Sequence, residues 1–477
     1  MLRNVDIAER LAEGLAAVRA RDAASTAVLE SWLLSMPARD LLRVDQAARH
    51  WRLAALGSAE EWSDRALRGS GHVGVALASM HYNGHVREAA LRLLAQMGEA
   101  LADRMVAVRL DDNVPLIREA ATRSLLNRTS LAQASRIVPV LQFLESRARA
   151  AEALLVYLHA VSADHGEAAL WSLLRQSSTR EVRRRAFQHS LTQGLVSTSD
   201  AVDALSLEED RVVQSLLARF IADTATPDVI AAALLHDASA ESRALGLVRL
   251  TAEQIDPADL ERLLVDPGEL VRLWARQRWT EQGRDTLAAY QAAALGPEPA
   301  RVRARAYRGL VEAGGSIDHA VAIGLVGSDE PPLQKAGLRL LADDARASDV
   351  PMLLQTLLTG TARVARLASE DLLEVPAAWS EEDLRPLTTS AAPELRRRAW
   401  WLKRGRSGWD ETIADLEITL DDDPALAALG RNLTVPQFAV PTEQQRARLA
   451  ELLPQVWPDT WRTSRVAFAA GFRAPSS

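Results

Sequence analysis

VREAALRLLAQMG (residues 86–98), IREAATRSLLN (117–127), VRRRAFQHSLTQG (182–194), VRLWARQRWTEQG (271–283) and VRARAYRGLVEAGG (302–315) repeat one pattern five times. In the first copy Val86, Ala89, Ala90, Leu93, Leu94 and Met97 fall on one stripe at the 3.6-residue period of a helix. Gly98 stands where a helix end favours glycine. Outward from these copies, an anchor recurs at Val86, Ile117, Ala148, Val182, Val213, Ser242, Val271, Val302, Leu333, Val364, Leu395 and Leu426, in steps of 29 to 34 residues that are mostly 31. Self-similarity at such a period signals stacked helical units.

Four residues after the anchor, ten of the twelve copies carry Ala or Gly; the exceptions are Glu152 and Leu217. That position lies one turn along the buried stripe. Helices packed about 8–10 Å apart require a small side chain at their closest approach. Between anchored helices lie shorter apolar stretches. DPADLERLLVDPG (256–268) and DVPMLLQTLLTG (349–360) each open on an N-cap candidate, Asp256 and Asp349. Each unit therefore reads as a short first helix and a longer second helix that bury their faces only by stacking.

Arg follows the anchor directly in eight units: Arg87, Arg118, Arg149, Arg183, Arg243, Arg272, Arg303 and Arg396. Asp112, Asp237, Asp266 and Asp421 stand five residues before an anchor. An Asp in the inter-helix turn can cap the second helix and accept hydrogen bonds from an Arg of its own or the adjacent unit. We read these residues as a structural ladder. The rival reading is a row of cations aimed at an anionic partner.

Units with D-x-x-x-x-V-R-x-x-A and a Leu-rich second helix resemble HEAT repeats, in the short form near 30 residues common in bacterial proteins. The resemblance covers roughly residues 70–430. It implies an all-α, right-handed superhelical solenoid of about twelve helix pairs, with the second helices on the concave surface. We expect an N-terminal helical cap over 1–68, the solenoid over 69–430 and a C-terminal helical cap and tail over 431–477, where Pro436, Pro441, Pro454 and Pro458 break the register. Deoxyhypusine hydroxylases, an enzymatic group of HEAT-like proteins, bind iron through His-Glu dipeptides; none occurs here.

Composition narrows the function. The chain has 477 residues, 48% hydrophobic, with a formal charge of −7. A general nucleic-acid coat is expected to be basic. With no cysteine, thiolate metal sites and Cys nucleophiles are excluded. Neither a signal peptide nor a membrane span is apparent, so a cytoplasmic protein is expected. No phosphate-binding loop or nucleophile elbow occurs. His81 and His85, four apart with His72 nearby, are separated by Asn83 and Gly84 and read as a polar loop between helices.

The remaining candidates are two clusters of Arg and Trp. Arg272, Arg276 and Trp279 share one second helix with Trp274 and Arg278. Arg396, Arg397, Trp400, Trp401, Arg404 and Trp409 form the other, with Arg398, Lys403 and Arg406. We expect a non-enzymatic scaffold that binds a protein or peptide through these residues, with no catalytic site, metal or cofactor. The alternative is a nucleic-acid-binding protein. Basic residues interleaved with aromatics can grip phosphate and stack on bases, and the arrangement resembles HEAT-like alkylpurine DNA glycosylases in outline. In that reading Asp285 or Asp410 would supply the catalytic carboxylate.

Overall fold

The computed structural model describes residues 4–50, 55–342, 344–436, 439–457 and 461–472. Among them every regular element is a helix. They form two compact units, Met1–Arg249 and Leu250–Ser477. The end of the cap and tail expected over 431–477, from residue 473 on, lies outside the described residues.

The first unit opens with the helices Asn4–Ala20, Ala23–Ser35 and Ala38–Ala48. Asp22 caps the second of them through Ala24 N–H and Ser25 N–H, at 3.0 and 3.2 Å. Six helix pairs follow: Gly71–Ala78 with Gly84–Leu94, Ala100–Val108 with Pro115–Leu126, Leu131–Leu144 with Ala153–His165, Glu167–Arg175 with Arg180–Thr192, Thr198–Leu207 with Arg211–Thr224, and Pro227–Leu234 with Ala240–Arg249. The first anchored helix ends at Leu94, four residues before Gly98.

The second unit holds six more: Pro257–Leu264 with Glu269–Glu281, Thr286–Leu295 with Ala300–Glu312, His319–Val326 with Pro331–Leu341, Val350–Thr359 with Ala362–Glu374, Arg385–Thr388 with Pro393–Gly405, and Gly408–Thr419 with Pro424–Ala427. The helices Glu443–Val456 and Trp461–Ala469 close it. From Ala300–Glu312 onward, each longer second helix packs on the next through Pro393–Gly405. Each unit is thus an α-solenoid of stacked pairs.

The small position does what packing requires. Ala90, Ala121, Ala186, Ala275, Ala306, Ala368 and Ala399 are buried. A Cβ added at Gly337 would stand 2.7 Å from the backbone O of Ala322 and the backbone N of Val326 on the first helix of its pair. Leu217 is fully buried, with the small buried residues Ala218 on its own helix and Ala201 on the first helix of the pair.

Glu152 breaks the pattern for a different reason. Residues 145–152 are turns, Glu152 is an exposed N-cap, and the second helix of that pair begins only at Ala153. The 34-residue step after Ala148 marks this irregular pair. Asp256 caps its helix through Ala258 N–H at 2.8 Å, as expected. Asp349 does not cap: its carboxylate accepts Arg346 N–H at 2.8 Å and faces His319 Nε2 at 3.1 Å.

Candidate functional site

Most of the arginines that follow an anchor are committed to the fold. Arg87 Nη1 donates to the carbonyls of His81 and Tyr82 in its own inter-helix turn, both at 2.9 Å. Its Nε and Nη2 donate to Asp112 of the next pair, again at 2.9 Å. Arg183 repeats this with Ser177 O at 2.9 Å and Glu208 at 3.2 and 3.1 Å. Arg396 does so with Ser390 O at 2.8 Å and Asp421 at 2.7 and 2.8 Å.

Each acceptor stands five residues before the next anchor and also holds its own turn. Asp112 accepts Val114 N–H at 3.0 Å, Asp421 accepts Asp423 N–H at 2.8 Å, and Glu208 accepts Asp210 N–H at 2.8 Å. Planar guanidinium suits the task, because one edge reads two carbonyls while the other grips a carboxylate. Arg118 and Arg243 make the turn half of the staple, to Asp112 O and Asp237 O at 2.7 Å. Gln214, standing where Arg would, donates to Glu208 O at 2.6 Å. Arg149 lies exposed in the irregular turns, and Arg303 donates to Ala294 O at 3.1 Å.

These staples absorb part of the predicted surface. Arg272 is 1% exposed, donating to Asp266 O at 2.7 Å and to Glu312 Oε2 at 2.9 Å. Arg276 donates to the same Glu312 oxygen at 2.9 Å. Trp279 is buried, its indole N–H on Asp285 O at 3.3 Å and its ring under Arg284. In the second cluster Trp409 is buried and donates to Ala439 O at 2.7 Å. Trp400 is half-buried, its indole N–H on Asp415 Oδ1 at 3.0 Å. Arg404 reaches Asp415 at 3.1 Å and Glu411 at 2.7 Å. Lys403 bridges Glu381 and Glu417 at 3.2 and 2.8 Å.

Two residues of the predicted cluster remain outward. Arg397 is exposed and has no partner among the described residues, and Trp401 is 37% exposed one turn later. The structure therefore keeps Arg397 and Trp401 on the surface, with Trp400 and Arg404 half-buried on the same helix. Arg272, Trp279 and Trp409 are in the interior.

The carboxylates required by the glycosylase-like alternative serve local structure. Asp285 caps its helix through Ala288 N–H at 3.1 Å, and Asp410 accepts from Gln445 at 2.7 Å. Asp415 was not singled out in the sequence, because the Trp400 and Arg404 that contact it lie on the preceding helix. Burial pushes its carboxyl up, against the lowering effects of Trp400 and Arg404. At 1% exposure it positions those two residues and meets no substrate.

His81 is equally occupied. Its Nδ1 accepts Asn83 N–H at 3.0 Å and its Nε2 faces Gly57 O at 3.2 Å, so the Nε2–H tautomer satisfies both contacts. Burial lowers its pKa. Among the described residues no cluster of three or more His, Cys, Asp or Glu is arranged to hold a metal ion.

The irregular pair opens a shallow groove of about 540 Å³ lined by Leu155, Leu158 and His159 on one side and by Trp171, Arg185 and His189 on the other. His189 stacks on Trp171 and pairs with Glu167 at 2.6 Å; Arg185 pairs with Glu145 at 2.5 Å. The 34-residue step was its only signal in the sequence.

No protein-family model matches the chain, and no curated protein matches it. Among solved structures, an engineered protein is 20% identical over 85% of this chain and 100% of its own, with a TM-score of 0.17. A structure described as microtubule polymerases with tumor overexpressed gene (TOG) domain arrays, which recruit and assemble tubulin, is 13% identical over 75% of this chain and 99% of its own, with a TM-score of 0.22. At these scores neither likeness bears on this chain, whose fold rests on its own helices. No helix among the described residues is long and apolar enough to cross a membrane.

Proposed function

We propose that the chain is a non-enzymatic, cytoplasmic scaffold of the HEAT-repeat kind. In this reading 1–68 and 431–477 are caps, and the concave face lined by the second helices in 69–430 binds a protein or peptide. The carrying observation is the division within the Pro393–Gly405 helix. Its other cations are tied to carboxylates or carbonyls, while Arg397 and Trp401 stand exposed one turn apart. An Arg beside a Trp, backed by residues already held rigid, is the composition of an interface hot spot. Trp400 and Arg404 flank that patch on the same helix, and Arg276, on Glu269–Glu281, is a secondary contact.

The test is capture from lysate with intact protein and with Arg397→Glu/Trp401→Ala, each with and without nuclease. A protein lost with the variant and indifferent to nuclease supports the reading. Recovery of nucleic acid, or of proteins that vanish on nuclease treatment, overturns it.

A further inference from the structure

Besides the stapled arginines, the second unit carries a separate set at other repeat positions. Arg301 and Arg363 stand one residue before an anchor. Lys335, Arg366 and Arg397 stand two after, and Arg308 and Arg339 six after. On a helix these three positions share one face, and it is the face away from the buried stripe. The helices that carry them, Ala300–Glu312, Pro331–Leu341, Ala362–Glu374 and Pro393–Gly405, pack each on the next.

Arg308 shares Glu269 and Glu312 at 3.1 and 2.9 Å, and Arg366 reaches Glu370 at 2.9 Å. Arg301, Lys335, Arg339, Arg363 and Arg397 have no carboxylate among the described residues. The proton affinity of Arg339 is lowered, first by burial and then by Arg308 and Arg363 beside it. Arg339 thus has a cation of the preceding helix and one of the following helix beside it, and neither Arg339 nor Arg363 has a carboxylate among the described residues, whereas Arg308 keeps Glu269 and Glu312. Such crowding is a standing repulsion in a chain of net charge −7.

We propose that this face binds an acidic polypeptide segment, an extension that rests on the scaffold reading above. Four helices at about 8–10 Å spacing give a track of roughly 30 Å, the reach of about nine extended residues. Guanidinium forks match carboxylates in pairs. Apolar side chains flank the track: Leu270 and Leu273 are exposed on Glu269–Glu281, whose Glu269 meets Arg308, and Trp401 stands at the other end. The favoured ligand is thus a run of Asp and Glu bounded by apolar residues. A nucleic-acid strand fits less well. Ala304, Pro332 and Lys335 stand between the arginines where stacking rings would be needed.

The test is fluorescence anisotropy with a labelled glutamate oligomer of about nine residues, against a thymidine oligonucleotide of equal charge at the same salt. The proteins are the full chain, Arg339→Ser/Arg363→Ser, and a control, Arg92→Ser/Arg123→Ser, which removes two exposed arginines of the first unit. The glutamate oligomer should bind the parent and the control alike and bind the Arg339/Arg363 variant about tenfold or more weakly, since two charge-assisted contacts are lost. Equal loss in both variants, no binding to the parent, or tighter binding of the oligonucleotide overturns the proposal. If lysate capture still depends on Arg397 and Trp401 in that event, the acidic chemistry is wrong and the scaffold reading stands.

Discussion

Two regions of this protein use arginine in opposite ways. In the first unit Arg109 is fully buried, ion-paired with Asp45 and donating to Ser79 O at 2.5 Å. Burial lowers its pKa to about 10, against the opposing pull of Asp45. Arg87 and Arg49 converge on the same Asp112, at 2.9 and 3.0 Å. In the second unit, the outward face of the second helices holds Arg301, Arg339, Arg363 and Arg397 exposed and without a carboxylate among the described residues. Composition is the same; repeat position differs. One residue after the anchor points the guanidinium into the inter-helix turn, and one before or two after points it to solvent.

The largest expected effect breaks the buried region. Asp112→Ala leaves buried Arg87 without a carboxylate and leaves Arg49 and Arg109 only Asp45, and removing one partner of buried charges costs about 3–5 kcal/mol. Chemical denaturation should show the first unit lost. Burial would raise the Asp112 carboxyl, but the arginines outweigh it and hold it below its ordinary value. Its stabilisation is therefore full above the ordinary carboxylate range and lost as pH falls into the acid range.

Gly337→Ala comes next. Its Cβ would meet backbone rather than a flexible side chain, so the third pair of the second unit should lose about 1–3 kcal/mol. Denaturation of the variant beside the parent reads this directly. Asp371→Asn tests a buried carboxylate of opposite character. Asp371 is buried with Oδ2 unpartnered among the described residues, and burial, then Glu370 and Glu374, pushes its pKa up to about 7. A raised carboxyl pKa contributes stability that is full below about pH 4 and lost as pH rises through about 7. Thermal melts should find the Asn variant more stable than the parent at pH 8 and no better at pH 4. The smallest effect is Arg363→Ser on the exposed face, within about 0.5 kcal/mol of the parent.

The repeat made the pairs legible, because a small residue one turn after each anchor leaves few other solutions. Gly337 and Ala368 carry that signal in plain view. Other features depend on contacts far apart in the chain. Arg109 with Asp45, 64 residues apart, follows no period. Arg104 donates to the carbonyls of Leu33 and Met36 near the end of the Ala23–Ser35 helix, a C-terminal cap from a distant helix. The Arg and Trp clusters were visible as composition, but which members face solvent depends on rotation about the helix axis. Arg272 and Trp279 turn inward, whereas Arg397 and Trp401 do not.

Arg396 and Arg397 are sequence neighbours with opposite assignments, and substituting each by Ser tests the account most directly. Stability by denaturation and glutamate-oligomer binding by anisotropy should be read on both variants. The account predicts that Arg396→Ser is less stable than the parent, as charge-assisted bonds to Asp421 and Ser390 disappear, while its folded fraction binds like the parent. It predicts that Arg397→Ser keeps the parent's stability and binds more weakly. Unchanged stability for Arg396→Ser, together with a binding loss equal to that of Arg397→Ser, would contradict the division between stapled and outward-facing arginines.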